Sequence, residues 1–292
     1  TTENNMKILR DKAIMLRVRN PKQLTTVIPN SKELAMNKVV VKWGIDEVLS
    51  LKALNIYAPS PITKRYNWPG QYTPFDHQKD TASFMTLNKK SFCFNEQGTG
   101  KTASAIWAAD YLLTQGKIKR VLVVCPLSIM DSAWRNDLFS FAMHRSVDVA
   151  HGGKEKRKKI INGGAEFVII NYDGVEVVKD EIAAGGFDCF IVDEATHYKN
   201  AQTKRWKTLS KLIKEDDWLW MMTGTPAAQS PVDAYGLAKL VNPLSVPRFF
   251  GAWRDMVMHK ITQFTYKPKE TAKDTVHQVL QPAIRFTKEE CL

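Results

Sequence analysis

The sequence predicts an α/β protein: a doubly wound parallel sheet flanked by helices, preceded by a small α+β module. Three observations carry this. Short apolar runs recur from about residue 90 onward, at residues 92–94, 121–125, 167–172, 189–192 and 218–222. Helical segments separate them, and strands apolar on both faces are what a parallel sheet covered on two sides requires. Each run is followed by polar or turn-forming residues, at the carboxyl strand ends where doubly wound sheets bind their ligands.

The first 70 residues break this rhythm. Residues 14–18 and 38–43 read as strands and 46–54 as a helix, so residues 1–70 form an accessory module and 71–292 the main domain. Between them, residues 58–74 carry Pro59, Pro61, Pro69, Pro74 and Gly70. That composition disfavours helix and suits a linker.

Composition narrows the function. With 292 residues and 44% hydrophobic content the chain has ample material for a core. No run approaches the roughly 18–20 apolar residues of a membrane span, and the start Thr1-Thr2-Glu3-Asn4-Asn5 lacks a secretory apolar region. An intracellular setting, cytoplasmic or with DNA, is expected, with no membrane partner. Cys93, Cys125, Cys189 and Cys291 are widely spaced, fit neither zinc nor disulfide patterns, and read as small hydrophobes.

A net charge of +12 points to a polyanionic partner, because Lys and Arg that neutralise phosphates gain from counterion release. The densest cluster, residues 154–159, reads first as a solvated helix face and second as a phosphate contact. Eight tryptophans could stack bases, but Trp107, Trp218 and Trp220 sit where a core is expected.

The sharpest motif is Glu96-Gln97-Gly98-Thr99-Gly100-Lys101-Thr102, between an apolar strand and a helix. Backbone N–H groups of such a turn cradle phosphates, Lys101 reaches the β/γ-phosphates and the Thr102 hydroxyl ligates Mg²⁺. Asn95 stands where the usual pattern has its first glycine, so the heptad alone also reads as a turn followed by an exposed lysine. Asp193-Glu194 ends another apolar strand. Asp193 can hold Mg²⁺ and Glu194 can deprotonate an attacking water. Thr223-Gly224-Thr225-Pro226 follows a third strand; it either lends hydroxyls to the same pocket or is simply a tight turn.

Together these residues resemble a superfamily 2 helicase core, most closely its Swi/Snf-like branch of double-stranded DNA translocases. Residues 96–102 are similar to its first motif, where a polar residue commonly stands at the position of Asn95. Val123-Val124-Cys125-Pro126-Leu127-Ser128 with Trp134 is similar to "CPLS…W", and Ile169-Ile170-Asn171-Tyr172 to a strand-end "TY" motif. Residues 193–200 resemble the Asp-Glu-Ala-His box, with Thr196 at the histidine position and His197 next to it. Residues 222–229 resemble "LTGTPIQN", Phe75-Asp76-His77-Gln78 the adenine-reading motif, and residues 284–288 the "RRTK" segment closing the first lobe.

The resemblance implies a RecA-like first lobe over residues 71–292 that binds ATP and Mg²⁺. Lys101, Asp193 and Glu194 would be catalytic, and Gln78, Gln97, Gly98, Thr99, Gly100, Lys101 and Thr102 would hold nucleotide. Thr102 and Asp193 would hold Mg²⁺. Pro126, Ser128, Asn171, Tyr172 and Lys199 would face a double-stranded DNA backbone, and Thr223 and Thr225 would couple hydrolysis to movement. Such ATPases act between two lobes, the second supplying an arginine finger worth about 10³–10⁵ in rate. No segment of that kind is found here, so this reads as a piece of a longer protein or half of a two-chain motor, weakly active by itself. Two other functions stay open: an RNA helicase or restriction-type motor, and a nucleotide-sensing nucleic-acid-binding module without turnover.

Overall fold

The computed structural model describes residues 6–227 and 229–292. The polar start at residues 1–5 and Ala228 therefore lie outside the described residues.

Alternation builds the N-terminal part. Strands β1 (Met6–Leu9), β2 (Ala13–Arg17), β3 (Ser31–Glu33) and β4 (Lys38–Lys42) pair antiparallel in the order β1-β2-β4-β3. Ile14, Leu16, Val39 and Val41 point to one face and pack with Trp43 and with Val48 and Leu51 of a helix. Helix α1 (Pro21–Val27) starts at Asn20, whose side chain accepts from the Gln23 N–H, and helix α2 (Ile45–Ala53) follows β4. The two expected strands and the expected helix are present. β1, β3 and α1 were not legible; β3 is a three-residue edge strand with exposed Lys32 and Glu33.

The proline-rich stretch differs from the expected linker. It contains a helical turn, α3 (Ile62–Arg65), because Pro61 stands ahead of the first turn, where its missing N–H costs nothing. Its carbonyls also serve buried indoles: Trp43 Nε1 donates to Pro59 at 2.8 Å and Trp107 Nε1 to Pro69 at 2.9 Å. The stretch is a packed strap.

The main sheet is read from strands β5 (Lys90–Cys93), β6 (Val121–Cys125), β7 (Val147–Ala150), β8 (Phe167–Asn171), β9 (Cys189–Asp193) and β10 (Trp218–Met222). A separate hairpin, β11 (Met258–Lys260) with β12 (Tyr266–Pro268), precedes the last strand, β13 (Ala283–Ile284). The order is β13-β5-β10-β9-β6-β8-β7, parallel throughout. A strand's period of two sorts its side chains into two cores. Leu122, Val124, Phe190, Val192, Leu219 and Met221 meet Trp206, Leu209, Tyr235 and Leu237 on one face. Val123, Cys125, Ile191, Trp220 and Met222 meet helices α4 (Asp76–Leu87) and α5 (Lys101–Thr114) on the other. The doubly wound α/β architecture stands as expected, and most tryptophans are core. Helix Lys154–Ile161 exposes Lys154, Glu155, Lys156 and Lys159 on a solvated face and buries Ile161.

One buried charge fixes this layering. Asp110 of α5 accepts from Arg145 Nε at 2.6 Å, His144 Nε2 at 2.7 Å and the Tyr66 hydroxyl at 2.6 Å, and Arg145 reaches Glu166 at 2.8 Å. The network ties α5 to the strap and to the segment before β7. Removing one partner of a buried pair leaves a charge uncompensated. Arg145→Ala is expected to cost about 3 kcal/mol, read as a lower denaturant midpoint.

Candidate nucleotide-binding site

The strand order sets the site. β5, β10, β9, β6 and β8 are consecutive neighbours, so the loops carrying residues 95–102, 223–226, 193–194, 126–128 and 172 emerge along one edge.

In the first of these loops Gly98 (φ +82°) and Gly100 (φ +74°) are left-handed, a conformation that favours glycine. Gly100 caps α5 with no side-chain hydrogen bond, leaving the first-turn N–H groups of a 14-residue helix for an outside acceptor. A Cβ at Gly100 would also lie 2.2 Å from Gln78 Nε2. Gln78 is spent on backbone: Oε1 accepts from Phe75 N–H at 2.9 Å and Nε2 donates to the Gly100 carbonyl at 3.3 Å. His77 Nε2 donates to the Thr99 carbonyl at 2.9 Å. Residues 75–78 and the glycine loop are therefore one hydrogen-bonded unit.

Asn95 has a physical reason to replace glycine. It is buried; its Nδ2 donates to Thr81 Oγ1 of α4 at 2.9 Å and its Oδ1 accepts from Phe286 N–H at 2.9 Å. Phe286 O in turn accepts from Glu96 N–H at 3.0 Å, and Glu96 Oε2 accepts from Lys288 N–H at 2.9 Å. The pairing of Asn95 and Glu96 with Phe286 and Lys288, about 190 positions away, carried no signal in the sequence.

Lys101 is 7% exposed. Its ammonium touches uncharged oxygens, Gln97 Oε1 at 3.0 Å and the Asn95 carbonyl at 3.4 Å. Among the described residues no carboxylate forms an ion pair with it, and a buried ammonium so placed favours an incoming anion. The Cys93 thiol registers both halves of the pocket. Burial pushes it up to about 11, an Asn95 backbone hydrogen bond and Lys101 pull it down, and Asp193 pushes it up. Gly224 closes the near side: a Cβ there would sit 3.5 Å from the Asn95 carbonyl oxygen and Glu96 Cα.

Asp193 is 5% exposed; its Oδ2 accepts from Trp134 Nε1 and its Oδ1 from Glu194 N–H, both at 2.9 Å. Glu194 is left-handed (φ +52°, ψ +54°), a strain of about 1–3 kcal/mol that clusters at active sites. Thr102 is half-buried at the start of α5. Among the described residues no group of three or more His, Cys, Asp or Glu could cage a metal. Thr223 is buried, with its N–H on the Cys93 carbonyl at 3.0 Å and its Oγ1 accepting from Thr225 N–H at 3.3 Å; Thr225 is exposed.

The residues expected to face nucleic acid divide. Ser128 is exposed, Pro126 half-buried, and Lys199 partly exposed with its ammonium 3.7 Å from Asp233. Asn171 and Tyr172 turn their side chains inward. Asn171 Oδ1 accepts from Arg157 Nη2 at 3.2 Å, and the Tyr172 hydroxyl donates to the Asp193 carbonyl at 2.5 Å. A strand-end position does not tell which way a side chain faces, and here the core claimed both. His197 stacks on Tyr172 at 4.3 Å; burial lowers its pKa first, and Arg205 lowers it further. Sequence reasoning missed the indole and phenol hydrogen bonds to the Asp193-Glu194 turn.

Similarity to known proteins agrees with this geometry. A SWI/SNF-related matrix-associated actin-dependent regulator of chromatin subfamily A-like protein 1 from Xenopus laevis is 30% identical over 190 residues, 62% of this chain and 18% of that protein. An uncharacterized ATP-dependent helicase, YqhH, of Bacillus subtilis is 24% identical over 176 residues, 59% of this chain and 30% of that protein. The solved SWI2/SNF2 ATPase core of Sulfolobus solfataricus in complex with dsDNA superposes with a TM-score of 0.63 at 23% identity, covering 76% of this chain and 46% of that one. This chain thus spans less than half the length of each. The SNF2-related domain profile matches residues 77–291, and the chain belongs to that family.

Proposed function

We propose that this chain is the ATP-binding lobe of a motor that couples ATP hydrolysis to movement along double-stranded DNA. The observation that carries it is the buried Lys101 ammonium, with no carboxylate partner among the described residues, at an uncapped helix start on the sheet edge that also carries Asp193-Glu194. Gly98–Lys101 would hold the triphosphate, with Gln97 and Thr99 shaping the loop and Gln78 at the adenine side. Thr102 and Asp193 would hold Mg²⁺, which when bound neutralises charge on the phosphate oxygens. Glu194 would take the proton of the attacking water. Thr223 and Thr225, whose loop lies against the phosphate loop, would relay its state.

Exposed Ser128 and partly exposed Lys199 would touch the phosphate backbone, which carries no sequence information and gives steep salt dependence. A DNA-bound relative of the same fold supports the choice of duplex DNA. Residues 1–70 are an accessory module and 71–292 the lobe, and a second lobe in the complete protein would complete the site.

The test is ATP hydrolysis by the full-length protein with duplex DNA, single-stranded RNA or neither. Duplex DNA is expected to stimulate, less so as salt rises. Stimulation by RNA alone would reject this reading in favour of an RNA helicase.

A further inference from the structure

Two buried aromatics bond the Asp193-Glu194 turn, Trp134 at the Asp193 carboxylate and Tyr172 at main-chain carbonyls. Trp134, fully buried on the π-helical turn Met130–Arg135 after β6, donates its indole N–H to Asp193 Oδ2 at 2.9 Å. Such turns are frequent at functional sites. Burial alone does not force this bond, since the Nε1 atoms of buried Trp220 and Trp253 have no partner among the described residues. With Oδ1 held by the Glu194 N–H, both carboxylate oxygens are oriented.

From the next strand, Tyr172 donates to the Asp193 carbonyl at 2.5 Å and lies 3.5 Å from that of Glu194, across the left-handed residue.

We infer that Trp134 and Tyr172 are positioning residues for the hydrolytic pair. Trp134 aims the Asp193 carboxylate at the cation of a bound Mg²⁺–triphosphate, and Tyr172 pins the strained turn that presents Glu194. The inference rests on the reading of the pocket as an ATP site. Outer partners of a metal-holding group commonly matter 10–100-fold for metal affinity.

Trp134→Phe and Tyr172→Phe each keep a ring and remove one donor. In the full-length protein, binding of a fluorescent ATP analogue is titrated with and without Mg²⁺, and kcat and KM are measured separately. For Trp134→Phe, the Mg²⁺ needed for half-maximal binding is expected to rise about tenfold, with Mg²⁺-free affinity unchanged. For Tyr172→Phe, kcat is expected to fall about tenfold at constant KM. If Trp134→Phe does not fold, benzothienylalanine at position 134 keeps the volume and removes only the N–H. Wild-type Mg²⁺ dependence in a folded position-134 variant overturns the role of Trp134, and an unchanged kcat in Tyr172→Phe overturns that of Tyr172. Absence of Mg²⁺-dependent binding in the wild-type protein overturns the ATP-site reading itself.

Discussion

Replacing Lys101 by alanine is expected to lower ATP turnover by about 10²–10³-fold, the usual loss when one preorganised charge-stabilising donor is removed from a buried site. Among the described residues the ammonium bonds two neutral oxygens and pairs with no carboxylate, so its charge is available to an incoming anion. Nucleotide affinity should weaken as well, because the same group meets the phosphates before and during reaction. Steady-state hydrolysis and titration with a labelled nucleotide measure the two effects. Turnover within tenfold of wild type would reject the pocket as the seat of hydrolysis.

Glu194→Gln is expected to behave differently. The amide keeps the size of the side chain and leaves the left-handed turn and the Asp193 contact in place, but it cannot accept the proton of an attacking water. Hydrolysis should fall by about 10²–10⁴-fold, while nucleotide binding persists. The contrast separates the residues: Lys101→Ala loses affinity and rate, Glu194→Gln rate alone. A Glu194→Gln protein hydrolysing ATP at the wild-type rate would remove Glu194 from the mechanism.

Why these residues could be found in the sequence is a matter of range. The central strands were legible because all their side chains are buried between two helical layers, which demands an unbroken apolar run. β7 was not, because it carries exposed Asp148 at the sheet margin, and β13 is only two residues long. Lys101, Thr102 and the Asp193-Glu194 pair each sit in a local turn whose chemistry is written in adjacent residues. The bond from Trp134 to Asp193 spans 59 positions and that from Asn95 to Phe286 spans 191, and no local pattern encodes either. Tyr172 was visible as a strand-end residue, but its direction was decided by the Asp193 carbonyl beneath it.

The pairing of β13 with β5 has a mechanical meaning. Backbone bonds run from Phe92 to Pro282, Phe94 to Ile284 and Glu96 to Phe286, and the Asn95 amide adds a rivet between them. A displacement of Phe286 or Lys288 would thus reach Glu96, two residues before Gly98, through these bonds. Residues 284–288 and the glycine loop are in this sense a single lever.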